Sequence, residues 1–186
     1  MKKLQGDLLA FALEGTFDVI VHGCNCQGHM GAGIAKSIKI QFPEAFIADK
    51  QTTAGDFDRL GTYSTAHIQR DDDDSTTIQF YIVNAYTQFH WKGKGVKADY
   101  HAIRGVFSKL KQEFSGLRIG YPRIGAGLAG GDWALISEII DEELEGEDHT
   151  LVEFVPPPPH PEQEGLSKKR STMDHMTKTG RKKFKK

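Results

Sequence analysis

Long apolar runs are missing from this 186-residue chain. A helix that crosses a bilayer needs about 20 consecutive apolar residues, so no membrane span is expected. The start, Met1-Lys2-Lys3-Leu4-Gln5-Gly6-Asp7, lacks the apolar segment of a secretory leader. A soluble cytoplasmic protein is therefore expected. Cysteine is equally scarce. Cys24 and Cys26 are the only two, too few and too close for a disulfide framework, and a reducing compartment keeps such thiols free. No Gly-Lys-Ser/Thr follows any glycine loop, which excludes a Walker phosphate loop. No internal repeat is visible.

Net charge is also small, at −1, but it is unevenly spread. From Pro156 onward there are nine Lys/Arg and three acids, against fifteen and twenty-two in residues 1–155. The body is thus about −7 and the remainder about +6. An acidic body argues against a large nucleic-acid face on the folded part. Backbone amides, not a field of lysines, are then the expected means of holding an anion. The run Pro156 to Pro159 favours an extended polyproline segment. Ser167 to Lys186 has little apolar content and reads as a disordered basic tail. The expected layout is one domain over 1–155 and a linker plus tail over 156–186. Weak contact of the tail with nucleic acid or an acidic partner is the only role its composition suggests.

What the body does contain is an alternation of strands and helices. Strands are expected near Lys2–Gln5, at 18–22, from Gly61 to Ile68 and Thr76 to Ala85 around the acidic turn Asp71–Asp74, at Leu117–Tyr121 and at Thr150–Val155. One or two helical turns are expected over Leu8–Leu13, and helices near 32–42, Glu44–Thr53, Asp99–Phe114 and Trp133–Leu144. In the fourth of these five, Ala102, Ile103, Val106, Phe107, Leu110 and Phe114 share a face. Asp132 is placed to cap the last one. Interleaved strands and helices favour an α/β/α layered domain.

Two glycine-rich stretches each leave a strand and open a helix. The first is Gly23-Cys24-Asn25-Cys26-Gln27-Gly28-His29-Met30-Gly31-Ala32-Gly33-Ile34-Ala35; the second is Pro122-Arg123-Ile124-Gly125-Ala126-Gly127-Leu128-Ala129-Gly130-Gly131-Asp132. Ligands of open α/β sheets bind at such junctions, where glycine permits close approach and the helix start offers unpaired N–H groups. Two loops of this kind can clamp a diphosphate from both sides. The order of the glycines is not the dinucleotide fingerprint.

With Gly6-Asp7-Leu8 near the N-terminus, these two loops resemble the macrodomain family over about residues 3–155. The chain is similar in particular to the branch holding the ADP-ribose 1″-phosphate phosphatases and the terminal ADP-ribose protein glycohydrolases. The resemblance implies a three-layer α/β/α domain with a mixed, mostly parallel sheet and ADP-ribose in a cleft above it. It implies that Asp7 accepts a hydrogen bond from the adenine amino group, with Leu8 beside it, and that Asn25 bonds the distal ribose. It makes Gly31, Ala32, Gly33 and Ile34 the first phosphate-and-ribose loop, and Ile124, Gly125, Ala126, Gly127 and Leu128 the diphosphate loop. Phe154 falls where the family packs a side chain on adenine.

Two departures bear on chemistry. The glycohydrolase members carry a lysine after the central strand and an aspartate after the second loop's leucine. Here the strand ends Ile82-Val83-Asn84-Ala85-Tyr86 and Ala129 follows Leu128. A covalent lysine mechanism is thus in doubt, and removal of phosphate from ADP-ribose 1″-phosphate is the leading expectation. Release of ADP-ribose from protein or nucleic acid, and binding without catalysis, are the alternatives. His29 is the most placeable acid or base, since histidine ordinarily titrates near neutrality. Asp132 is a candidate for the missing acid, with simple capping as its rival, and Asn25 completes the catalytic candidates. Asn84, Gln88, His90 and Trp91 lie near the loops. His22, Cys24, Cys26 and His29 do not follow the usual paired zinc spacing. No metal or cofactor is expected, and a monomer is.

Overall fold

Val19, Ile20 and Val21 are all buried, which a strand allows only when both its faces are covered. A computed structural model, describing residues 1–71 and 77–156, shows both covers. Val19 and Val21 join an apolar cluster with Ile103, Val106, Phe107, Ile136 and Ile140. Ile20 points the other way, into a cluster with Leu8, Leu9, Ala12, Ile38 and Ala45.

The elements are β1 (Lys2–Gly6), α1 (Leu8–Leu13), β2 (Val19–Asn25), α2 (Gly33–Gln41), α3 (Pro43–Lys50), a 3-10 turn (Phe57–Arg59), β3 (Tyr63–Asp71), β4 (Thr77–Gln88), α4 (Tyr100–Phe114), β5 (Ile119–Tyr121), α5 (Trp133–Glu143) and β6 (His149–Phe154). The sheet order is β1-β6-β5-β2-β4-β3. All neighbours pair parallel except β3 with β4. Helices α1–α3 cover one face, and α4 and α5 the other. This is the expected three-layer domain with a mixed, mostly parallel sheet, and Met1–Val155 packs as one unit. Among the described residues no helix is long and apolar enough to cross a membrane. The basic tail, Pro156 apart, lies outside the described residues, as does the acidic turn beyond Asp71.

Several boundaries differ from expectation for local reasons. β2 runs on to Asn25 because β4 continues beside it, pairing His22 with Asn84 and Cys24 with Tyr86. β5 begins only at Ile119, because the Arg118 amide bonds the Asp18 carboxylate at 2.8 Å and leaves the ladder. α3 starts at Pro43, whose missing N–H suits a first helical position. It ends early, where the Thr52 hydroxyl takes the Asp49 carbonyl at 2.6 Å.

The caps matter more for function. Asp7, Asp99 and Asp132 accept from the amides of Leu9, Ala102 and Ala134 at 2.8, 2.8 and 2.9 Å, closing the starts of α1, α4 and α5. The start of α2 has Ala32 at its cap and no side-chain hydrogen bond. Its first amides are open.

Candidate functional site: a cleft lined by main-chain amides

The uncapped start of α2 faces a cleft along the carboxyl ends of the parallel strands. Three cavities of about 610, 460 and 450 Å³ adjoin there. The largest lies between the two glycine loops and is lined by Ala32–Ala35 and by Pro122–Ala129. It shares Ile34, Val152 and Phe154 with the cavity that holds Asp7 and Leu8. On its other side it shares Ala32, Gln88 and Leu128 with the cavity that holds Asn25, His29, Trp91 and Lys97.

The middle section combines the side chains of Thr87, Gln88, Arg123 and Glu153 with main-chain groups of the two glycine loops. In the second loop the amides of Ile124, Ala126, Gly130 and Gly131 close on carbonyls of the loop itself. Those of Gly127 and Leu128 have no partner among the described residues. With the open amides at the start of α2 they form a concave donor set of the kind that binds phosphate. Gly125 explains the loop's shape. Its φ is +74°, and a Cβ there would lie 3.1 Å from Ile136 and 3.2 Å from Ile103. The loop therefore backs directly onto the core. At Gly127 a Cβ would meet nothing within 4 Å.

The far section is built on a bulge. Cys24 pairs with Tyr86 but Asn25 pairs with Gln88, so Thr87 is the extra residue on β4. Asn25 lies at this irregularity, largely buried. Its Oδ1 accepts from Gln27 N and His29 N at 3.1 and 3.2 Å, and its Nδ2 donates to the His29 carbonyl at 2.8 Å. Asn25 thus shapes the first loop while lining the cavity. His29 is exposed and stacks on Trp91, with ring centroids 4.5 Å apart.

The structure brings Asp7, Leu8, Asn25, His29, Gly31 to Ile34, Ile124 to Leu128 and Phe154 together along this cleft. Asp132 does not line it; its carboxylate is engaged in the α5 cap. Asn84 is also elsewhere, fully buried among His22, Ala45 and Ser64. His90 lines none of the three cavities, and its Nδ1 accepts from Lys92 N. Lys97, from the loop after β4, enters the far section, a residue the motif reading missed.

Beneath the cleft His22, Cys24 and Cys26 are held neutral. Burial pushes the His22 imidazole down to about 4, against the smaller opposing effects of its Asn84 bond and Asp49. Asn84 Nδ2 donates to Ala45 O and Ser64, which leaves its Oδ1 to accept from His22 Nε2 at 2.7 Å. Burial also raises both thiols, Cys24 far above its ordinary value and Cys26 to about 11. Neither is a ready nucleophile. His22 and Cys24 share one side of β2 and approach to 3.6 Å, but among the described residues no group of three or more His, Cys, Asp or Glu could hold a metal ion.

The buried His22 predicts a pH dependence. Its folded pKa lies below the unfolded value of 6.5, so its contribution is complete above pH 6.5 and is lost as pH falls toward 4. The gap corresponds to about 3 kcal/mol. Urea midpoints of wild type and His22→Gln, compared between pH 7 and pH 4.5, should show a shallower pH slope in the variant.

Fold and cleft define an α/β/α domain with a cleft at its strand ends that carries unpartnered main-chain amides. No family model matches the chain. A 17.5 kDa protein from the tk-vs intergenic region of Enterobacteria phage T4 is 35% identical over 162 residues, 84% of this chain and 97% of that protein. The DNA ADP-ribosyl glycohydrolase of Mycobacterium tuberculosis is 27% identical over 128 residues, 69% of this chain but 34% of the enzyme. The ADP-ribose 1″-phosphate phosphatase of Aspergillus fumigatus is 46% identical over 44 residues, 24% of this chain and 20% of the enzyme. Among solved structures, the macrodomain of Mycobacterium tuberculosis DarG superposes with a TM-score of 0.60 at 22% identity, over 84% of this chain and 97% of that one. The chain has the macrodomain fold.

Proposed function

We propose that the protein binds ADP-ribose along this cleft and hydrolyses the bond at the anomeric carbon of its distal ribose. The observation that carries the reading is the uncapped α2 start facing the free amides of Gly127 and Leu128 across one cavity. In this reading the diphosphate lies between them. Adenine occupies the section with Asp7 and Phe154, where Phe154 is 66% exposed and free to stack on a base. The distal ribose occupies the section with Asn25, His29 and Gln88. His29 serves as the acid or base, assisted by water, and Asn25 holds the loop that presents it. Asp132 takes no part.

The leaving group defines the activity. Phosphate leaving from ADP-ribose 1″-phosphate is the first assignment, supported by likeness to the fungal phosphatase over its short matched segment. A macromolecule leaving is the second, favoured by the longer match to the mycobacterial glycohydrolase. In both, water replaces the leaving group, which departs with a proton, and ADP-ribose is released.

Titration calorimetry of the full chain with ADP-ribose is the first test. Saturable heat at micromolar to high micromolar ligand is expected. A folded sample that gives none rules out the cleft assignment. Parallel assays with both ester types then separate the activities: phosphate release supports the first, free ADP-ribose from a modified macromolecule the second. Binding with neither makes the protein a reader.

A further inference from the structure

Arg123 and Glu153 are the charged side chains that line the middle cavity. They form one pair. Arg123 Nε donates to Glu153 Oε1 at 3.1 Å, and Nη2 donates to the same oxygen. On its other side the guanidinium carbon lies 5.9 Å from the Trp133 ring centre. Glu153 Oε2 accepts no hydrogen bond among the described residues. The arginine's charge is thus spent inside the pair, while one carboxylate oxygen stays open to a donor. Arg123 is exposed and Glu153 half-buried, and such a pair adds little to stability.

The pair stands at a junction. Pro122, Val152 and Phe154 line both the middle cavity and the one that holds Asp7. Arg123 follows Pro122 in the chain, and Glu153 lies between Val152 and Phe154. Both charged residues line the middle cavity and not its neighbour. ADP-ribose runs in a fixed order: adenine, ribose, diphosphate, ribose. With adenine beside Asp7 and Phe154, and the diphosphate at Gly127 and Leu128, the adenosine ribose falls at this junction. Its hydroxyls donate, and an ionised carboxylate only accepts. The adenosine half of the cleft sets two carboxylates, Asp7 and Glu153, against one guanidinium. The other cation that lines the cleft, Lys97, belongs to the far section.

We infer that Glu153, steadied by Arg123, selects an adenosine ribose whose 2′-hydroxyl is free, so that the cleft rejects the 2′-phosphorylated form of the same ligand. This selectivity deepens the reading of the cleft as an ADP-ribose site and rests on it. A 2′-phosphate carries about −1.5 to −2 near pH 7. It would meet the Glu153 carboxylate with like charge. The guanidinium suited to receive it is already held by that carboxylate. Dinucleotide sites divide these roles between residues: an acid takes the 2′-hydroxyl, or an arginine takes the 2′-phosphate. Here both residue types are present, and the acid occupies the arginine. Removing the acid's charge then converts the preference instead of merely weakening binding.

The test is titration calorimetry of the full chain with two probes, ADP-ribose and 2′-phospho-ADP-ribose, at about 50 mM salt to limit screening. Wild type should favour ADP-ribose by about 30-fold or more, a moderate penalty for juxtaposed like charges. In Glu153→Gln the affinity for 2′-phospho-ADP-ribose should rise by about tenfold, while that for ADP-ribose changes by less than about threefold. Adding Arg123→Gln to that variant should remove the gain, because the freed guanidinium provides it. A wild type that binds the two probes within about threefold of each other overturns the inference. So does a Glu153→Gln variant that keeps the wild-type ratio, since a pair that only braces the loop affects both ligands alike. A gain that survives Arg123→Gln overturns the part given to the arginine. A wild type that binds neither probe overturns the cleft reading itself, which the ADP-ribose titration reports separately from the ratio.

Discussion

Asp49→Ala will destabilise the protein by about 3–5 kcal/mol, the usual consequence of leaving one member of a buried ion pair without its partner. Asp49 and Arg59 are 1% and 5% exposed, and Asp49 Oδ1 meets Arg59 Nη2 at 2.5 Å. Tyr86 donates to the same oxygen at 3.1 Å, and its ring lies 4.0 Å beneath the guanidinium. The second guanidinium nitrogen donates to the Cys26 carbonyl at 2.6 Å. Asp49 Oδ2 and Arg59 Nε have no partner among the described residues, so the arrangement is already expensive and one further loss leaves a bare charge in the interior. Urea unfolding of the full chain provides the measurement. Replacing both members, Asp49→Leu with Arg59→Met, should recover much of the loss, because apolar pairs of similar volume tolerate such positions. That double variant should still bind ADP-ribose more weakly than wild type, since the Cys26 carbonyl under the first glycine loop then keeps only its bond from the Gly55 amide at 2.8 Å.

Gly127→Glu should behave in the opposite way, abolishing ADP-ribose binding with a change in stability of less than about 0.5 kcal/mol, the scale of surface substitutions. A side chain at 127 meets nothing within 4 Å, and the residue lines the middle cavity. Its carboxylate would occupy the space assigned to the diphosphate and repel it. Calorimetry together with thermal unfolding reads both halves of the result. A variant that binds ADP-ribose within threefold of wild type would move the diphosphate elsewhere. A variant that loses several kcal/mol would show that the loop is packed more tightly than its open surroundings imply.

How far the sequence alone reaches differs between these two regions. The amide cleft was legible because its determinants are local: strand, glycines and helix start follow one another in the chain, twice. The helices were legible for the same reason, with α4 keeping Ala102, Ile103, Val106, Phe107, Leu110 and Phe114 on its buried face. The Asp49–Arg59 pair was not, because nine mostly polar residues lie between its members and nothing local couples them. One signal was available: Ala45 and Asp49 are four apart on α3 and both buried, so helical spacing alone aims that carboxylate inward. Lys97 was missed because a lysine was sought directly after the central strand, whereas the chain returns one through a loop pinned to Ala129. Asp132 fitted a catalytic part by proximity in sequence, but its carboxylate is spent on the first turn of α5.

The proposed recognition of a diphosphate by N–H groups in the middle of the cleft has a consequence for how it can be mapped. Every residue except proline carries the same donor. Truncating Ile124 or Leu128 to alanine removes hydrophobic contacts and leaves the donor in place, so an alanine scan across 122–131 will report packing and stay silent about anion binding. Only a change to the main chain itself, such as an amide-to-ester replacement at 127 or 128, interrogates the hydrogen bond directly.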